Sequence, residues 1–364
     1  MTVFELPFLT LALGEDRTAV ESAIRRVIDR GWFILGPEVE AFEREFAAVG
    51  GAAHAVGVGT GTDAIALTLR ALGIGPDDEV VTTPLSAAYT ALAILMAGAR
   101  PIFADIDADR LTLDPAAARA AVTSRTVAIV PVHLYGQPAD MPALADVARR
   151  HNLAIVEDCC QAHLATCGGR PVGTFGAGGA FSFYPTKNLG ALGDGGAVCT
   201  NDAQLAERLR RLRNGGQVGR YHHQDAGVNS RLDELQAAVL RARLPYLGGW
   251  TARRRTRAAL YREGLHTASV DVPPQYDAGH VYHLFPIRTA ARSALQGHLA
   301  AQGIGTLIHY PVTIPKQPAF GNQDPTDCQV AERVAEEVLS LPLYPSLADA
   351  DVARVTAAVC SFKA

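Results

Sequence analysis

The chain lacks the features that mark several large classes of protein. Only 7% of its 364 residues are aromatic, 19% are charged, and the formal net charge is −4. Without a basic surplus it has little to neutralise the phosphates of a nucleic acid or of anionic lipid. Six cysteines are too few for a disulfide framework in a chain of this length. Nucleic-acid and membrane partners are therefore not expected, and the thiols are expected to be reduced.

An uninterrupted apolar run is also missing. Residues 80–99 carry no charge, but threonines, a proline and a glycine interrupt them, which favours a buried strand, turn and helix over a membrane span. Glu5 lies where a secretory leader would be positively charged, so we expect a cytoplasmic protein. The hydrophobic share of 48% excludes a disordered chain, because it can bury a large core.

From about residue 55, short β-branched segments alternate with Ala- and Leu-rich stretches of helical periodicity. This alternation predicts an α/β fold with a mostly parallel sheet sandwiched by helices. A helix that begins near Asp233 is stopped by Pro245, and we place a domain boundary there. The prediction is a large α/β domain over 1–245, with an N-terminal helix, and a smaller α+β domain over 246–364. The predicted strands are Ala55–Gly59, Glu79–Thr83, Pro101–Asp105, Val127–Val132, Ala154–Glu157, Gly179–Phe183, Gly196–Thr200 and Tyr282–Arg288. The predicted helices include Asp63–Leu72, Met141–His151, Ala203–Arg213, Ser293–Gln302 and Val330–Leu339.

A basic run, Arg253–Arg255 with Arg257 and Arg262 nearby, falls in the helix predicted to connect the two domains. We interpret it as a solvated helix face rather than an anion site.

Polar residues follow three of the predicted strands, at the sheet edge where α/β proteins bind ligands. The loop Gly57–Asp63 has small residues whose amides could hold a phosphate at a helix N-terminus. It matches neither the dinucleotide fingerprint nor a P-loop, and such turns with Thr as N-cap also occur without ligands. Asp158 leaves a buried strand and is expected to face a cationic group or to form a structural ion pair. Lys187 has no acidic neighbour in sequence until Asp194; it is either solvated or a desolvated, nucleophilic amine.

A lysine amine, an isolated aspartate and a phosphate cradle together suggest pyridoxal phosphate, whose enzymes need all three. Cys160, His163 and Cys167 do not complete a zinc set, since no C-x-x-C pair accompanies them, and no metal is expected.

Several ordered motifs resemble the DegT/DnrJ/EryC1 family of pyridoxal-phosphate enzymes, the sugar aminotransferases of fold-type I in the aspartate aminotransferase superfamily. The resemblance runs from about Gly31 to the C-terminus. The segments that carry it are Thr60–Ala64, Glu157–Asp158 with Gln161–His163, Ser182–Asn188, Leu35–Val39, Val132–Gln137, Gly227–Asp233, His309–Pro311 and Leu341–Pro345.

The resemblance implies a role for each matching residue. Lys187 would bind the cofactor covalently and carry the proton, and Asp158 would keep the pyridine nitrogen protonated. Gln161 would lie near the ring oxygen, while the phosphate would be bound by Thr60, Gly61, Thr62 and Ser182. Asn229 would reach the phosphate of a second subunit, which implies a homodimer with shared sites. The substrate-pocket candidates, each with ordinary packing as the alternative, are His133, His163, Tyr184, His309 and Tyr310.

The chain departs from the family pattern after Pro84. Relatives place an aromatic ring a few residues beyond that proline, where this chain has Ala87 and Ala88. Either Tyr89 stacks on the cofactor through a shifted register, or the cofactor is covered differently; Tyr89 is the candidate.

The expected reaction moves an amino group from an amino acid, with glutamate as the expected donor, through pyridoxamine phosphate to a keto-sugar nucleotide. The segment Gly31–Gly36 looks most like relatives that aminate carbon 3 rather than carbon 4 of a deoxyhexose. An oxo-cyclitol such as an inosose is an alternative acceptor. A pyridoxamine-dependent sugar dehydratase is a further alternative, which Lys187 disfavours because those relatives replace it. A non-enzymatic regulator and an NAD dehydrogenase fit less well, since the site residues are present and the dinucleotide glycine is not.

Overall fold

The computed structural model describes residues 4–320 and 327–363. Its helices are α1 (Arg17–Arg30), α2 (Pro37–Val49), α3 (Gly61–Ala71), α4 (Tyr89–Met96), α5 (Pro115–Ala120), α6 (Met141–His151), α7 (Ala203–Leu212), α8 (Glu234–Arg243), α9 (Leu247–Gly264), α10 (Arg292–Ala301), α11 (Gln329–Glu337) and α12 (Asp349–Ser361). Its strands are β1 (His54–Val58), β2 (Glu79–Thr82), β3 (Arg100–Phe103), β4 (Thr126–Val130), β5 (Ala154–Asp158), β6 (Thr166–Cys167), β7 (Arg170–Pro171), β8 (Gly178–Ser182), β9 (Gly196–Thr200), β10 (Gln217–Gly219), β11 (His222–His223), β12 (Phe285–Arg288) and β13 (Val338–Leu341).

Seven strands form the central sheet, in the order β1-β9-β8-β5-β4-β2-β3. Neighbouring strands run parallel except at β9, which is antiparallel to both β8 and β1. The predicted fold, a mostly parallel sheet, is confirmed. The charge-free run supplies β2 and α4, as expected, and no described helix is both long and apolar enough to cross a membrane.

Adjacent residues of the central strands pack on opposite faces of the sheet. Val80 and Val156 face a core with helices α3 and α7, whereas Val81 and Ile155 face a second core with α6. This alternation follows from the two-residue period of a strand, and it requires apolar side chains at every position of a strand covered on both sides. It explains why these strands are continuous β-branched runs.

Side-chain caps fix where several helices begin. The side chain of Asp140 accepts a hydrogen bond from the Ala143 amide at 3.1 Å, and Asn152 ends α6 in a left-handed conformation. Asp202 caps α7 in the same way. A capping carboxylate satisfies amides that have no partner within the helix, so these boundaries are encoded locally.

A separate core fills the C-terminal part, where α9 and α12 pack on the β12–β13 pair. Leu6 from the N-terminal segment joins this core, and its backbone amide donates to the Gly303 carbonyl at 3.0 Å. The N-terminal segment thus packs on the smaller domain, although the sequence assigned it to the larger one. The boundary near residue 245 stays a prediction.

Candidate active site

The predicted site residues converge at one edge of the central sheet. Asp158 ends β5, Lys187 lies on the connection between the neighbouring strands β8 and β9, and α3 begins just after β1. Strands β1, β5 and β8 end at the same edge because they share one direction. A ligand at this edge would contact all three elements, which is the expected position in an open α/β sheet.

Asp158 is a buried carboxylate without an ion pair. It is 6% exposed, and its two oxygens accept hydrogen bonds from the Thr90 hydroxyl at 2.7 Å and the Cys160 amide at 3.0 Å. No cationic side chain among the described residues lies within salt-bridge distance of it. A buried carboxylate is costly without a compensating charge, so the site suits a protonated ligand nitrogen.

Lys187 is a half-buried amine close to Asp158 and Cys160. Burial lowers its pKa, and the two acidic groups offset part of that effect. Its ammonium group makes no hydrogen bond or ion pair with the residues that the structure describes. A lysine held in this way spends more time as the free amine, which is the nucleophilic form.

The loop before α3 is built to leave helix amides free. Thr60 caps the helix by accepting a hydrogen bond from the Asp63 amide at 3.0 Å, and Ser230 holds the Gly59 amide at 2.9 Å. The Gly61 and Thr62 amides remain at the positive end of the helix dipole. A Cβ on Gly61 would lie 2.7 Å from Ser182 Cβ, so only glycine lets this loop approach Ser182.

Gln161 belongs to a hydrogen-bonded chain. Its side-chain oxygen accepts from the Tyr135 amide at 2.7 Å, and its Nε2 donates to the Tyr310 hydroxyl at 3.1 Å. The Tyr135 hydroxyl in turn donates to the His309 carbonyl. Burial raises the pKa of Tyr310 to about 12. Tyr310 therefore holds the Gln161 amide in place, a positioning role that the sequence did not suggest.

His133 is fully buried, and both of its ring nitrogens have hydrogen-bond partners. It has no exposed surface; its Nδ1 accepts from the Ala139 amide at 3.0 Å, which leaves Nε2 to donate to Glu157 at 3.1 Å. Glu157 also accepts from three amides of the loop 173–176. His133, Glu157 and Cys159 bring potential metal ligands within 4.8 Å of one another, but this carboxylate and this imidazole already have their hydrogen bonds. The geometry favours a structural role for His133.

The other substrate candidates differ in accessibility. His163 has no exposed surface, and its ring packs on Phe46, Phe181 and Phe183, so the geometry favours packing. Burial and the Lys187 charge lower its pKa to about 3. His309 is half-buried, and Tyr184 is exposed beside the Lys187 loop. Both remain candidates for substrate contact.

Tyr89 and Asn229 are exposed in the single chain. Tyr89 begins α4 and is 64% exposed, directly before the Thr90 that bonds Asp158. Asn229 precedes Ser230, which binds the Gly59 amide of the phosphate loop. Each is close in sequence to a site residue while its own side chain is open to solvent.

Several residues around Lys187 were missed at the sequence level. Asn188 accepts from His283 Nδ1 at 3.1 Å and donates to the Val281 carbonyl at 3.2 Å. Arg254 is buried, which contradicts the prediction that the basic run is a solvated helix face. Its guanidinium leaves solvent because backbone carbonyls of the smaller domain bind it. The signal for Arg254 was its position in an Arg-rich helix, but charge alone did not reveal burial.

A lysine and an unpaired buried aspartate beside a helix N-terminus, at the edge of such a sheet, define the site of a pyridoxal-phosphate transferase. The chain belongs to the DegT/DnrJ/EryC1/StrS aminotransferase family, whose model matches residues 15–360. It is an aminotransferase, as predicted.

Proteins similar in sequence and structure match nearly the whole chain. The dTDP-3-amino-3,4,6-trideoxy-alpha-D-glucose transaminase of Streptomyces venezuelae is 49% identical over 97% of this chain and 95% of its own length. The structure of S. venezuelae DesV, in complex with a ketimine intermediate, has a TM-score of 0.94 and 49% identity and covers 98% of each chain. The structure of NtdA from Bacillus subtilis, with bound cofactor PMP, has a TM-score of 0.92 and 30% identity and covers 99% of this chain and 85% of NtdA.

Proposed function

We propose that this chain transfers an amino group from an amino acid, with L-glutamate as the expected donor, to a nucleotide-bound keto-sugar, using pyridoxal phosphate. The observation that carries the proposal is the half-buried amine of Lys187 close to the buried carboxylate of Asp158, neither of which has an ion-pair partner among the described residues. The residues fit the cofactor because each of its polar parts has a complementary group at this edge of the sheet.

Each site residue has a distinct task. When bound, pyridoxal phosphate supplies an electron-accepting ring that stabilises negative charge at the substrate carbon. Asp158 would keep the ring nitrogen protonated, and Gln161 would lie near the ring oxygen. Thr60, Gly61, Thr62 and Ser182 hold the phosphate.

Lys187 binds the cofactor covalently and moves a proton to and from the substrate carbon. Its lowered pKa suits this task, because the free amine can both attack a carbonyl and accept a proton. Lys187 also favours transamination over the dehydratase alternative.

The acceptor is proposed to be a deoxy-keto-hexose bound to a nucleoside diphosphate, aminated at carbon 3, in amino-sugar biosynthesis. The S. venezuelae relative, 49% identical, acts at carbon 3 of a dTDP-sugar by its name. The half-buried His309 and the exposed Tyr184 are the proposed contacts to this substrate, and Tyr89 the proposed contact to the cofactor ring.

The active unit is proposed to be a homodimer. Trp32 and Phe33 are 54% and 47% exposed and, with Ile34, form an apolar segment on the surface of the single chain. Ile34 pairs with Asp233, so this segment adjoins the stretch that carries the exposed Asn229. Exposed aromatic surface is typical of protein interfaces. A second subunit on this surface would bring Asn229 to its partner's phosphate site.

We also propose a reducing, cytoplasmic location and keep the domain boundary near residue 245. All six cysteines are free thiols, and four of them are buried. The core that joins α9 and α12 to the β12–β13 pair supports a distinct C-terminal domain.

The test of this function uses the small number of lysines in the chain: Lys187, Lys316 and Lys363 are the only three. Borohydride reduction of the cofactor-loaded protein, followed by peptide mapping, should place the adduct on Lys187. The Lys187→Ala variant should lose turnover with glutamate and a keto-sugar nucleotide while keeping its far-UV circular dichroism spectrum.

The control variant is Lys316→Ala, whose lysine is exposed and pairs with Glu332. It should keep full activity. Transamination at the wild-type rate by the Lys187→Ala protein would refute the proposed mechanism.

A further inference from the structure

A cavity of about 510 Å³ opens beside Lys187, on the side of the smaller domain. Its wall combines five parts of the chain: the N-terminal segment at 9–16, the loop 185–192, residues of α8, residues of α9 and the stretch 344–346. Volumes of roughly 300–1,000 Å³ are typical of small-molecule sites. Lys187, Asn188 and Arg254 line this cavity, whereas Asp158, Gln161 and the phosphate loop do not.

Four cationic side chains line the cavity against two acidic ones. Arg243 lies 2.9 Å from the Asp16 carboxylate, and Arg253 is paired with Glu15. Lys187 and Arg254 have no carboxylate partner among the described residues. Because Lys187 is proposed to bind the cofactor, Arg254 is the cation of this cavity that still lacks a negatively charged partner among the described residues.

Arg254 is fixed in position by the protein but not neutralised. It is 3% exposed, and its Nη1 donates to the Leu343 carbonyl at 2.8 Å and to the Tyr282 and His283 carbonyls at 3.3 Å. Its buried Nε has no hydrogen-bond partner in the part of the chain that the structure describes. A buried charge is costly without a counter-charge, and a guanidinium with donors to spare is the natural ligand of a carboxylate.

The pKa values of two nearby histidines also indicate an excess of positive charge around Lys187 and Arg254. Burial lowers the pKa of His283 well below its usual value, and the charges of Lys187 and Arg254 lower it further. Burial and Lys187 lower the pKa of His309 to about 4. Both imidazoles are therefore neutral near pH 7, and an anion entering the cavity would meet unbalanced positive charge.

We propose that Arg254 binds the side-chain carboxylate of the amino donor, so that the cavity selects a dicarboxylic amino acid. This inference rests on the proposed function, since it assigns a substrate to the same site. The cavity is large enough for an amino acid of glutamate size. The phosphates of the acceptor are the other source of an anion, and the experiment distinguishes the two.

The first experiment measures the donor half-reaction of the cofactor-loaded enzyme by absorbance, with glutamate, glutamine and norvaline as donors. Wild type should prefer glutamate over the two neutral donors by at least tenfold in kcat/KM. Arg254→Lys keeps the charge but loses the forked donor geometry, so we expect the KM for glutamate to rise about tenfold or more.

Arg255→Lys is the matched control. Arg255 is the next residue of α9, but its Nε donates to the His280 carbonyl and it lines a different cavity. Its KM for glutamate should stay at the wild-type value. Melting temperatures of both variants show whether the fold is preserved.

Two results would overturn the assignment. An equal loss for all three donors would place Arg254 at the α-carboxylate, which every amino acid has. A raised KM for the keto-sugar nucleotide, with an unchanged KM for glutamate, would assign the cavity to the acceptor's phosphates.

If no donor reacts, that result counts against the proposed function and not against the dicarboxylate site. A binding measurement then tests the site by itself. Calorimetry with the loaded wild-type enzyme should show binding of glutarate and much weaker binding of butyrate, which has one carboxylate. Arg254→Lys should weaken glutarate binding about tenfold. Equal affinity for the two acids in the wild type would refute a dicarboxylate site.

Discussion

The buried imidazole of His163 shows how a single residue makes stability depend on pH. Its pKa is about 3 in the folded chain, against a usual value of 6.5. Between these two pH values the unfolded chain binds more protons than the folded one, so stability is lost as the pH falls. The ring packs on three phenylalanines, so a phenylalanine side chain suits this place.

His163→Phe should flatten the acid side of the stability profile. Between pH 7.5 and pH 5 wild type should lose roughly 2 kcal/mol more than the variant, from the linkage of one proton to unfolding. Urea unfolding at both pH values measures the difference. His222→Gln, at an exposed histidine, should behave as wild type. Parallel profiles for wild type and His163→Phe would show that this imidazole is not the titrating group.

At the scale of the element, the N-terminus of α2 depends on a side chain from α8. The Glu234 carboxylate accepts hydrogen bonds from the amides of Gly36 at 2.9 Å, Glu38 at 3.0 Å and Val39 at 2.8 Å. These are the amides that a helix leaves without partners, and a negative charge at this end is favoured by the helix dipole.

Removing the Glu234 carboxylate should destabilise the folded chain. Glu234→Ala leaves three buried amides without an acceptor, and we expect a loss of about 3 kcal/mol in the free energy of unfolding. Glu234→Gln should lose less, because the amide oxygen still accepts. Glu40→Ala, at an exposed glutamate of the same helix, should stay within about 0.5 kcal/mol of wild type. Denaturant titration compares the three, and a Glu234→Ala loss equal to that of the control would contradict the capping role.

Elements with local signals were predictable from sequence. Helix α6 runs from Met141 to His151 as predicted, because Asp140 and Asn152 cap its two ends. The predicted helix Val330–Leu339 is wrong at its end: α11 stops at Glu337, and Val338 begins β13, which pairs with β12. The alternative to helix there is a pairing with residues about fifty positions earlier, which no local pattern can indicate.

Some residues of the site could likewise be predicted from the sequence, and others could not. Lys187 and Asp158 could be chosen because Asp158 ends a strand and Lys187 follows the next strand of the sheet within a few residues, and parallel strands bring such ends together. Thr90 and Arg254 could not be chosen, because their partners come from distant segments. The type of a residue, which the sequence gives, indicates the chemistry that its side chain can do. Its burial and its hydrogen-bond partners depend on the folded chain.

At the scale of the whole molecule, the exposed segment Trp32–Ile34 offers a test of the proposed homodimer. Phe33→Glu places a charge on this apolar surface, and we expect it to shift the protein towards a monomer and to lower activity at least tenfold. Sedimentation velocity and turnover measured on the same sample test both effects.

Val49→Glu is the control for this surface. Val49 is 46% exposed but lies at the opposite end of α2, roughly 20 Å along the helix axis. It should leave both sedimentation and turnover unchanged. A fully active Phe33→Glu monomer would show that the site is complete within one chain.

The bond between Gly36 and Glu234 spans 198 residues of sequence, and this distance matters while the chain is being made. A ribosome releases the N-terminal part first. At that stage α2 lacks the Glu234 side chain that caps it. Helix α1 lacks its packing partner α8, and strand β1 lacks its neighbour β9. The first two helices and the edge strand are thus synthesised early but completed late. The nascent chain has to keep that apolar surface from aggregating until translation has passed α8.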